Sequence, residues 1–189
     1  MISYVRNAQK GGNPMKKATL AIITQGNKVL LGLKRNGCEI GDGTLNGPGG
    51  KLDPGETLLE GIIRETKEEA DILLDPAKVE KVAIVTFHKG RTRFVFLNRF
   101  LNWFKLGNVP DFEVHVYHTN EFTGEPHETE TMIPDWYDRE PLPVERMLES
   151  DYAWFPQLVR GDRFNANVFY LDRARHFDRV EFFPFIDHN

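Results

Sequence analysis

Three glutamates lie close together in the stretch RETKEEAD, from Arg64 to Asp71. Residues three and four apart share one face of an α-helix, so Glu65, Glu68 and Glu69 would project together if this stretch is helical. Like charges at this spacing destabilise a helix. Clusters of carboxylate oxygens suit Mg²⁺ and Mn²⁺, which bind carboxylates, waters and substrate phosphates together. The spacing therefore permits a divalent metal site, although the glutamates taken alone favour the ordinary alternative, a solvated charged helix face.

A glycine-rich loop, NGPGGK, precedes this stretch at residues 46–51. Because glycine has no side chain, the backbone of such a loop can approach a ligand closely. Either feature alone is usually without function. The loop and the glutamates together, at this spacing, favour the metal-site interpretation.

One clear helix is predicted to carry these glutamates, from about Thr57 to Ala70. Thr57 and Glu60 have the spacing of a capping box, just after a turn with Pro54 and Gly55. Asp71 could end the helix in a left-handed conformation, which Asp tolerates better than most residues. The residues expected to pack on a sheet are Leu59, Ile62, Ile63, Thr66 and Ala70.

The remaining chain is predicted to be mostly β-structure, beginning with a hairpin of residues 18–24 and 28–35 around the turn QGN. Short helical turns are expected over residues 145–161, with a helix near Trp154 to Arg160. Further strands are predicted at residues 81–87, 91–100, 111–120, 165–174 and 179–186, the last two as a closing hairpin, with residues 101–110 as a longer connection. This order predicts an α+β domain, with a mixed β-sheet packed between helices.

The composition is ordinary for a soluble globular protein, with 40% hydrophobic and 28% charged residues in 189. A formal net charge of −4 argues against a general nucleic-acid binder, which usually carries a basic stripe. The single cysteine, Cys38, suits a reducing compartment, and neither a membrane-spanning run nor a signal-peptide core is evident. We expect a cytoplasmic protein with a polar tail, residues 1–14, and one domain, residues 15–189. The oligomeric state stays open.

The stretch GKLDPGETLLEGIIRETKEEADI, Gly50 to Ile72, resembles the Nudix box, G-x5-E-x7-R-E-U-x-E-E-x-G-U with U aliphatic. Two positions depart from it, since Thr66 stands at an aliphatic position and Asp71 at the second glycine. Both departures affect packing and helix termination, and neither removes a carboxylate. The matching positions are Gly50, Glu56, Arg64, Glu65, Glu68, Glu69 and Ile72.

The resemblance implies hydrolysis of a nucleoside diphosphate linked to another group, with Mg²⁺, or Mn²⁺ in its place, as the cofactor. One of the box glutamates or a neighbour would activate water, while Glu56 and Arg64 would orient the box. The implied metal ligands are the carbonyl of Gly49 and the side chains of Glu65, Glu68 and Glu69. Metals at such a site neutralise phosphate charge and lower the pKa of the attacking water.

The similarity extends over most of Lys17 to Tyr170, through TLAIIT, KVLLGLKR, NGPGGK, DFEVHVYHTNEFTGEP, MIPDW and SDYAWFPQLV. These segments resemble the MutT-like oxidised purine nucleoside triphosphatases, in which water attacks the β-phosphorus and yields nucleoside monophosphate and pyrophosphate. Asn46 would hydrogen-bond the purine, and Trp154 is a wall or core aromatic. The implied substrate-binding residues are Thr19, Lys34, Asn46, Gly50, Lys51, Met147, Leu148, Ser150 and Asp151.

Three positions depart from that group. Its acidic pair, which reads the purine edge, is replaced by Ser150 and Asp151, which lack the shared proton of two carboxyls. Leu148 replaces the aromatic residue that stacks on the base, which should weaken binding by about 1 kcal/mol. A further glutamate of the group falls on Thr131, and Glu130 beside it is the candidate metal ligand.

Two alternatives to a purine triphosphate hydrolase stay open. One is a Nudix hydrolase for another diphosphate, such as ADP-ribose or a dinucleoside polyphosphate. The second is a non-catalytic nucleotide sensor, which would be expected to lose at least one ligand glutamate, whereas all three are present.

Overall fold

The computed structural model describes residues 15–35, 43–90, 108–171 and 176–188. The predicted tail, residues 1–14, and the predicted strand of residues 91–100 lie outside the described residues. The described α-helices are α1 (Leu58–Ala70) and α2 (Phe155–Arg160). The described strands are β1 (Lys16–Gln25), β2 (Lys28–Lys34), β3 (Leu45–Asn46), β4 (Leu73–Leu74), β5 (Glu80–Gly90), β6 (Asn108–Thr119), β7 (Phe122–Thr123), β8 (Met132–Asp138), β9 (Phe164–Tyr170) and β10 (Phe177–Pro184).

Eight of these strands form a mixed sheet in the order β10-β9-β5-β6-β1-β2-β3, with β8 also paired to β2. β1 pairs with β6 in parallel, and β5 pairs with β9 in parallel, while the remaining pairs in this sheet are antiparallel. Strands β4 and β7 form a separate small pair. The sheet thus places the start of β1 between β6 and the glycine-rich loop, where Thr19 N–H donates to the Gly50 carbonyl at 2.8 Å.

Each face of the sheet carries a hydrophobic core, because successive residues of a strand point to opposite faces. On one face, Leu20 and Ile22 pack in a cluster with Trp154 and Phe155 at the start of α2. On the opposite face, Ala21 and Ile23 pack in a cluster with α1. The sheet therefore lies between two helices, which confirms the predicted α+β architecture.

Both predicted hairpins are confirmed. β1 and β2 pair across the turn at residues 25–28, with Gln25 opposite Lys28. β9 and β10 pair antiparallel, with Phe164 opposite Pro184 at one end and Tyr170 opposite Phe177 at the other. The predicted second helix is also present, and it ends at Gly161, whose φ of 103° is a conformation that glycine adopts without strain.

Two expectations about the elements are wrong. Leu59 does not pack on the sheet, since it is 37% exposed. The buried stripe of α1 repeats every fourth residue, through Ile62, Thr66 and Ala70, and Leu58 extends that stripe while Leu59 lies beside it. The predicted connection of residues 101–110 is also wrong in part: Asn108 begins β6, because its backbone continues the ladder opposite Gly90.

Candidate active site

Helix α1 is capped at both ends by the residues from which its start and end were predicted. Thr57 Oγ1 accepts from Glu60 N–H at 3.2 Å, and the Glu60 carboxylate accepts from Thr57 N–H at 2.9 Å, which completes the capping box. At the C-terminal end, Asp71 adopts the left-handed conformation with φ of 59°. The caps thus define the two ends of the helix that carries Glu65, Glu68 and Glu69.

Arg64 donates hydrogen bonds to acidic side chains of the helix and of the turn before it. Its Nε and Nη2 donate to the two carboxylate oxygens of Glu56 at 2.8 and 2.9 Å, and Nη1 donates to Glu65 and Glu68, each at 3.0 Å. Arg64 Nη2 also donates to the carbonyl of Lys51 at 3.0 Å, which ties the glycine-rich loop to the helix. Hydrogen bonding to Arg64 lowers the pKa of Glu56 to about 2. We call Glu56, Arg64, Glu65, Glu68 and Glu69 the carboxylate box.

Lys34, at the end of β2, holds Glu69, the fourth glutamate of the box. Its Nζ donates to Glu69 Oε1 at 2.8 Å and to the carbonyl oxygen of Gly49 at 2.9 Å. The second oxygen, Glu69 Oε2, accepts from Gly49 N–H at 2.8 Å. The Lys34 and Glu69 side chains are only 12% and 8% exposed, so this ion pair is shielded from solvent.

Two of the three glycines in the loop, Gly49 and Gly50, lie in close contact with neighbouring atoms. A Cβ at Gly49 would lie 2.2 Å from the carbonyl oxygen of Thr19, and a Cβ at Gly50 would lie 2.6 Å from Glu65 Oε1. Burial raises the pKa of Glu65, although Arg64 opposes that effect. The absence of side chains at both positions lets the loop backbone lie directly against the box.

The carboxylate oxygens of the box and the carbonyl oxygen of Gly49 are suitable ligands for a hard divalent cation, because Mg²⁺ binds oxygen ligands of these kinds. Glu69 and Gly49 already hold one cation, the Lys34 ammonium. In the described part of the chain, no three carboxylate, imidazole or thiol groups enclose a metal position as they stand. A metal would therefore have to share or displace the internal cations.

A hollow of about 500 Å³ lies beside the box glutamates and opens toward a neighbouring loop. Glu130 and Thr131 both border this hollow, so the structure places the two alternatives from the sequence side by side. Glu130 is the one with a carboxylate to offer. The remaining lining residues are Glu65, Glu68, Glu69 and Thr129.

A larger cavity of about 750 Å³ extends from the box toward α2. We call the part of it near α2 the aromatic cavity, which is lined by Phe87, Phe112, Leu148, Trp154 and Tyr170. The rings of Phe87 and Phe112 are stacked, with centroids 4.6 Å apart and planes within 3°. The predicted residues that also line this cavity are Thr19, Lys34, Asn46, Gly49, Gly50, Lys51, Arg64, Glu65, Glu69 and Asp151.

Two predicted substrate contacts do not line the cavity. Met147 is buried in the hydrophobic cluster that includes Trp154. Ser150 is also buried, and its Oγ donates to Asp151 Oδ1 at 3.1 Å. The position expected to read the purine edge directly therefore contacts its neighbour, Asp151, which lines the cavity.

Asp151 is buried at the inner end of the cavity, and its surroundings change its acidity. Burial raises the pKa of this carboxyl to about 7, and the hydrogen bond from Ser150 lowers it only in part. Asn46 Nδ2 lies 3.5 Å from Asp151 Oδ2, at the limit of a hydrogen bond. Near neutral pH the carboxyl can therefore either donate or accept a proton in a hydrogen bond.

Sequence reasoning missed three aromatic walls of the cavity, Phe87, Phe112 and Tyr170. Each lies on a strand that was predicted, but none belongs to a motif with fixed spacing. The available signal was the alternation along KVAIVTF and DFEVHVY, which could have placed Phe87 and Phe112 on a shared face of the sheet.

The family model described as the NUDIX domain matches residues 14–158. An oxidized purine nucleoside triphosphate hydrolase of Danio rerio is 33% identical over 150 residues, which are 79% of this chain and 83% of that protein. The Mus musculus protein of the same description is 31% identical over 156 residues, 82% of this chain and 86% of that protein. The chain therefore belongs to the Nudix family, and it is a Nudix hydrolase.

The fold is also shared with a solved structure. A MutT protein of Bacillus halodurans superposes with a TM-score of 0.69 at 19% identity, covering 89% of this chain and 97% of that one. Nudix hydrolases generally use a divalent metal. None of the helices among the described residues has the length and apolar character needed to cross a membrane.

Proposed function

We propose that this protein is a Mg²⁺-dependent pyrophosphohydrolase that cleaves purine nucleoside triphosphates, including oxidised ones, to monophosphate and pyrophosphate. The observation that carries the proposal is the junction of two sites: one continuous cavity has the carboxylate box at one end and aromatic walls with Asp151 at the other. The relatives named as oxidized purine nucleoside triphosphate hydrolases, aligned over about four fifths of the chain, support the same substrate class.

At the box end, the residues that would hold the metal are the Gly49 carbonyl, Glu65, Glu68 and Glu69, with Glu130 across the hollow. When bound there, Mg²⁺, or Mn²⁺ in its place, would neutralise phosphate charge and lower the pKa of a bound water. Arg64 keeps Glu56 and two ligand glutamates in fixed orientation through its hydrogen bonds. The cations Lys34 and Lys51 line the cavity beside the box, where they would attract the phosphates of a nucleotide.

At the inner end, a purine would bind between apolar walls and one titrating carboxyl. Phe87 and Phe112 offer flat apolar contact, and Leu148 supplies an aliphatic surface. Asp151 accepts hydrogen bonds when it is ionised and donates one when it is protonated. Asn46 adds an amide with both kinds of group, while Ser150 acts through Asp151 rather than on the base. These groups recognise the edge of a purine without fixing one tautomer.

The test is pyrophosphate release from a panel of ordinary and oxidised purine and pyrimidine nucleoside triphosphates, with Mg²⁺ and with EDTA. We expect Mg²⁺-dependent release from purine triphosphates and little from pyrimidine triphosphates. ADP-ribose and a dinucleoside polyphosphate belong in the same panel, because preferential cleavage of either would replace the proposed substrate. Binding without cleavage of any of these compounds would instead indicate a nucleotide sensor. A cytoplasmic location and the lack of nucleic-acid binding stay predictions of the sequence.

A further inference from the structure

Lys34 occupies an unusual position for a side chain at a metal-binding box. Its ammonium group bonds both the Gly49 carbonyl oxygen and Glu69 Oε1, which are two of the atoms assigned above to the metal. A carbonyl and a carboxylate oxygen that both bond one ammonium group form a small cation site. The cation in that site belongs to the protein itself.

We propose that Lys34 is an internal competitor of the metal: its ammonium holds Glu69 and Gly49 in place until a divalent cation displaces it. This proposal rests on the proposed function, because it takes these oxygens as metal ligands. A buried carboxylate without a partner is costly, so the lysine keeps Glu69 paired and in place before a metal binds. Lys34 is then a positioning residue for the metal site.

The backbone of Lys34 is fixed, so that only its side chain has to move. Lys34 N–H donates to the Thr44 carbonyl and Lys34 C=O accepts from Gly43 N–H, each at 3.0 Å. On its second side, Lys34 pairs with Met132 of β8. A four-carbon stem with several rotatable bonds can swing its charge while this anchor stays in place.

The displaced ammonium has a destination within the same site. Lys34 lines the cavity that joins the box to Asp151 and Asn46, so a swing away from Glu69 leaves its charge inside that cavity. A nucleotide bound there brings phosphate oxygens, which are good acceptors for an ammonium group. Metal binding would thus release a cation for the nucleotide, and by linkage the nucleotide would tighten metal binding.

The first test uses the wild-type protein and limited lysine acetylation, with peptides quantified by mass spectrometry in EDTA and in saturating Mn²⁺. We expect Lys34 to become roughly tenfold more reactive with Mn²⁺, the size of one lost charge-assisted hydrogen bond. Lys28 is the internal control, since it lies on the same strand and pairs with Asp138 at 2.8 Å, outside the residues that line the cavity. Unchanged Lys34 reactivity while Mn²⁺ binds would overturn the proposal.

The second test compares Mn²⁺ affinity, measured from free Mn²⁺ by electron paramagnetic resonance, for wild type, Lys34→Met and Lys28→Met. Removing a competitor should tighten Mn²⁺ binding by roughly tenfold in Lys34→Met only. In EDTA, Lys34→Met should melt at a lower temperature than wild type. Saturating Mn²⁺ should then raise the melting temperature of Lys34→Met by more than it raises that of wild type. Equal affinity of Lys34→Met and wild type would refute the competition.

The two proposals fail in different ways. If neither wild type nor Lys34→Met binds Mn²⁺, the metal site of the proposed function is wrong, and the competition is wrong with it. If wild type binds Mn²⁺ and hydrolyses nucleotides while Lys34 stays protected, only the competition is wrong. Binding by Lys34→Met with none by wild type would support the competition in its strongest form.

Discussion

Around Arg64, several carboxylates bond to one guanidinium, and the pKa of Glu56 is lowered to about 2 as a result. At the inner end of the cavity, the side chains that bond to Asp151 in the described part of the chain are neutral, and burial raises the pKa of this carboxyl to about 7. Arg64 thus stabilises the negative charge of Glu56, whereas the buried end of the cavity disfavours a charge on Asp151. This difference suits a metal and phosphates at one end and an uncharged purine at the other.

Changing the box glutamates should have the largest effect. Glu68→Gln with Glu69→Gln removes two carboxylates while keeping their shape, so we expect kcat to fall by at least about a hundredfold. The rise in melting temperature with Mg²⁺ should shrink in the same variant. Pyrophosphate release and thermal melting measure both effects. Lys67→Gln, on the same helix but outside the box, is the control, and equal losses in both variants would contradict the assigned roles.

Arg64→Lys should come next. The substitution keeps a positive charge but loses the fork that bonds both oxygens of Glu56 and reaches Glu65 and Glu68. Because the ligand glutamates lose their orientation, we expect kcat to fall about ten- to a hundredfold. Steady-state kinetics with Mg²⁺ in excess measure this loss. Full activity in Arg64→Lys would mean that charge alone organises the box.

The pH dependence of stability should differ in sign between the two ends. Glu56 has a folded-state pKa of about 2 against an ordinary value of 4.5, so its contribution is complete above 4.5 and is lost as pH falls toward 2. Asp151 has a folded-state pKa of about 7 against 3.8, so the native state binds the extra proton, and stability from this group is lost as pH rises from about 4 to about 7.

Asp151→Asn tests the neutral-pH half of that comparison. In wild type, Asp151 lowers the free energy of unfolding as pH rises from about 4 to about 7, and the variant should lack this contribution. The matching inflection near pH 7 in kcat/KM for a purine triphosphate should also disappear. Urea unfolding and kinetics over this pH range provide the two readouts. Glu56→Gln is the counterpart, since it should flatten only the acid limb.

Leu148→Trp should have the smallest effect. An indole at this wall of the cavity would add stacking on the base, worth about 1 kcal/mol, so KM for a purine triphosphate should fall about fivefold. The kcat value should change little, because the box is not altered. Equal changes in KM for purine and pyrimidine triphosphates would show that Leu148 does not lie against the base.

The helix that carries the box glutamates could be predicted from the sequence because the information for it is local. Thr57, Glu60 and Asp71 carry the signals that start and end α1, and the helical period then places Glu65, Glu68 and Glu69 on one side. Leu59 was misplaced because period alone does not decide which edge of an apolar stripe is buried. That choice depends on how the helix docks on the sheet.

The cavity end could be predicted only in part, because its residues meet through long-range pairing. Phe87 and Phe112 come together because β5 and β6 are paired in a register that places them opposite each other. Ser150 was expected to contact substrate, but the short helical turn of residues 149–153 buries it against Asp151. The pairing of Lys34 with Glu69 spans 35 residues and likewise has no local signal.

The most direct test of the whole account is hydrolysis of an oxidised purine nucleoside triphosphate in ¹⁸O-labelled water with Mg²⁺, followed by mass spectrometry of both products. Attack of water at the β-phosphorus, with the box positioned on the phosphates and the base in the aromatic cavity, predicts the label in pyrophosphate and none in the monophosphate. Label in the monophosphate, or release of inorganic phosphate without pyrophosphate, would contradict the account.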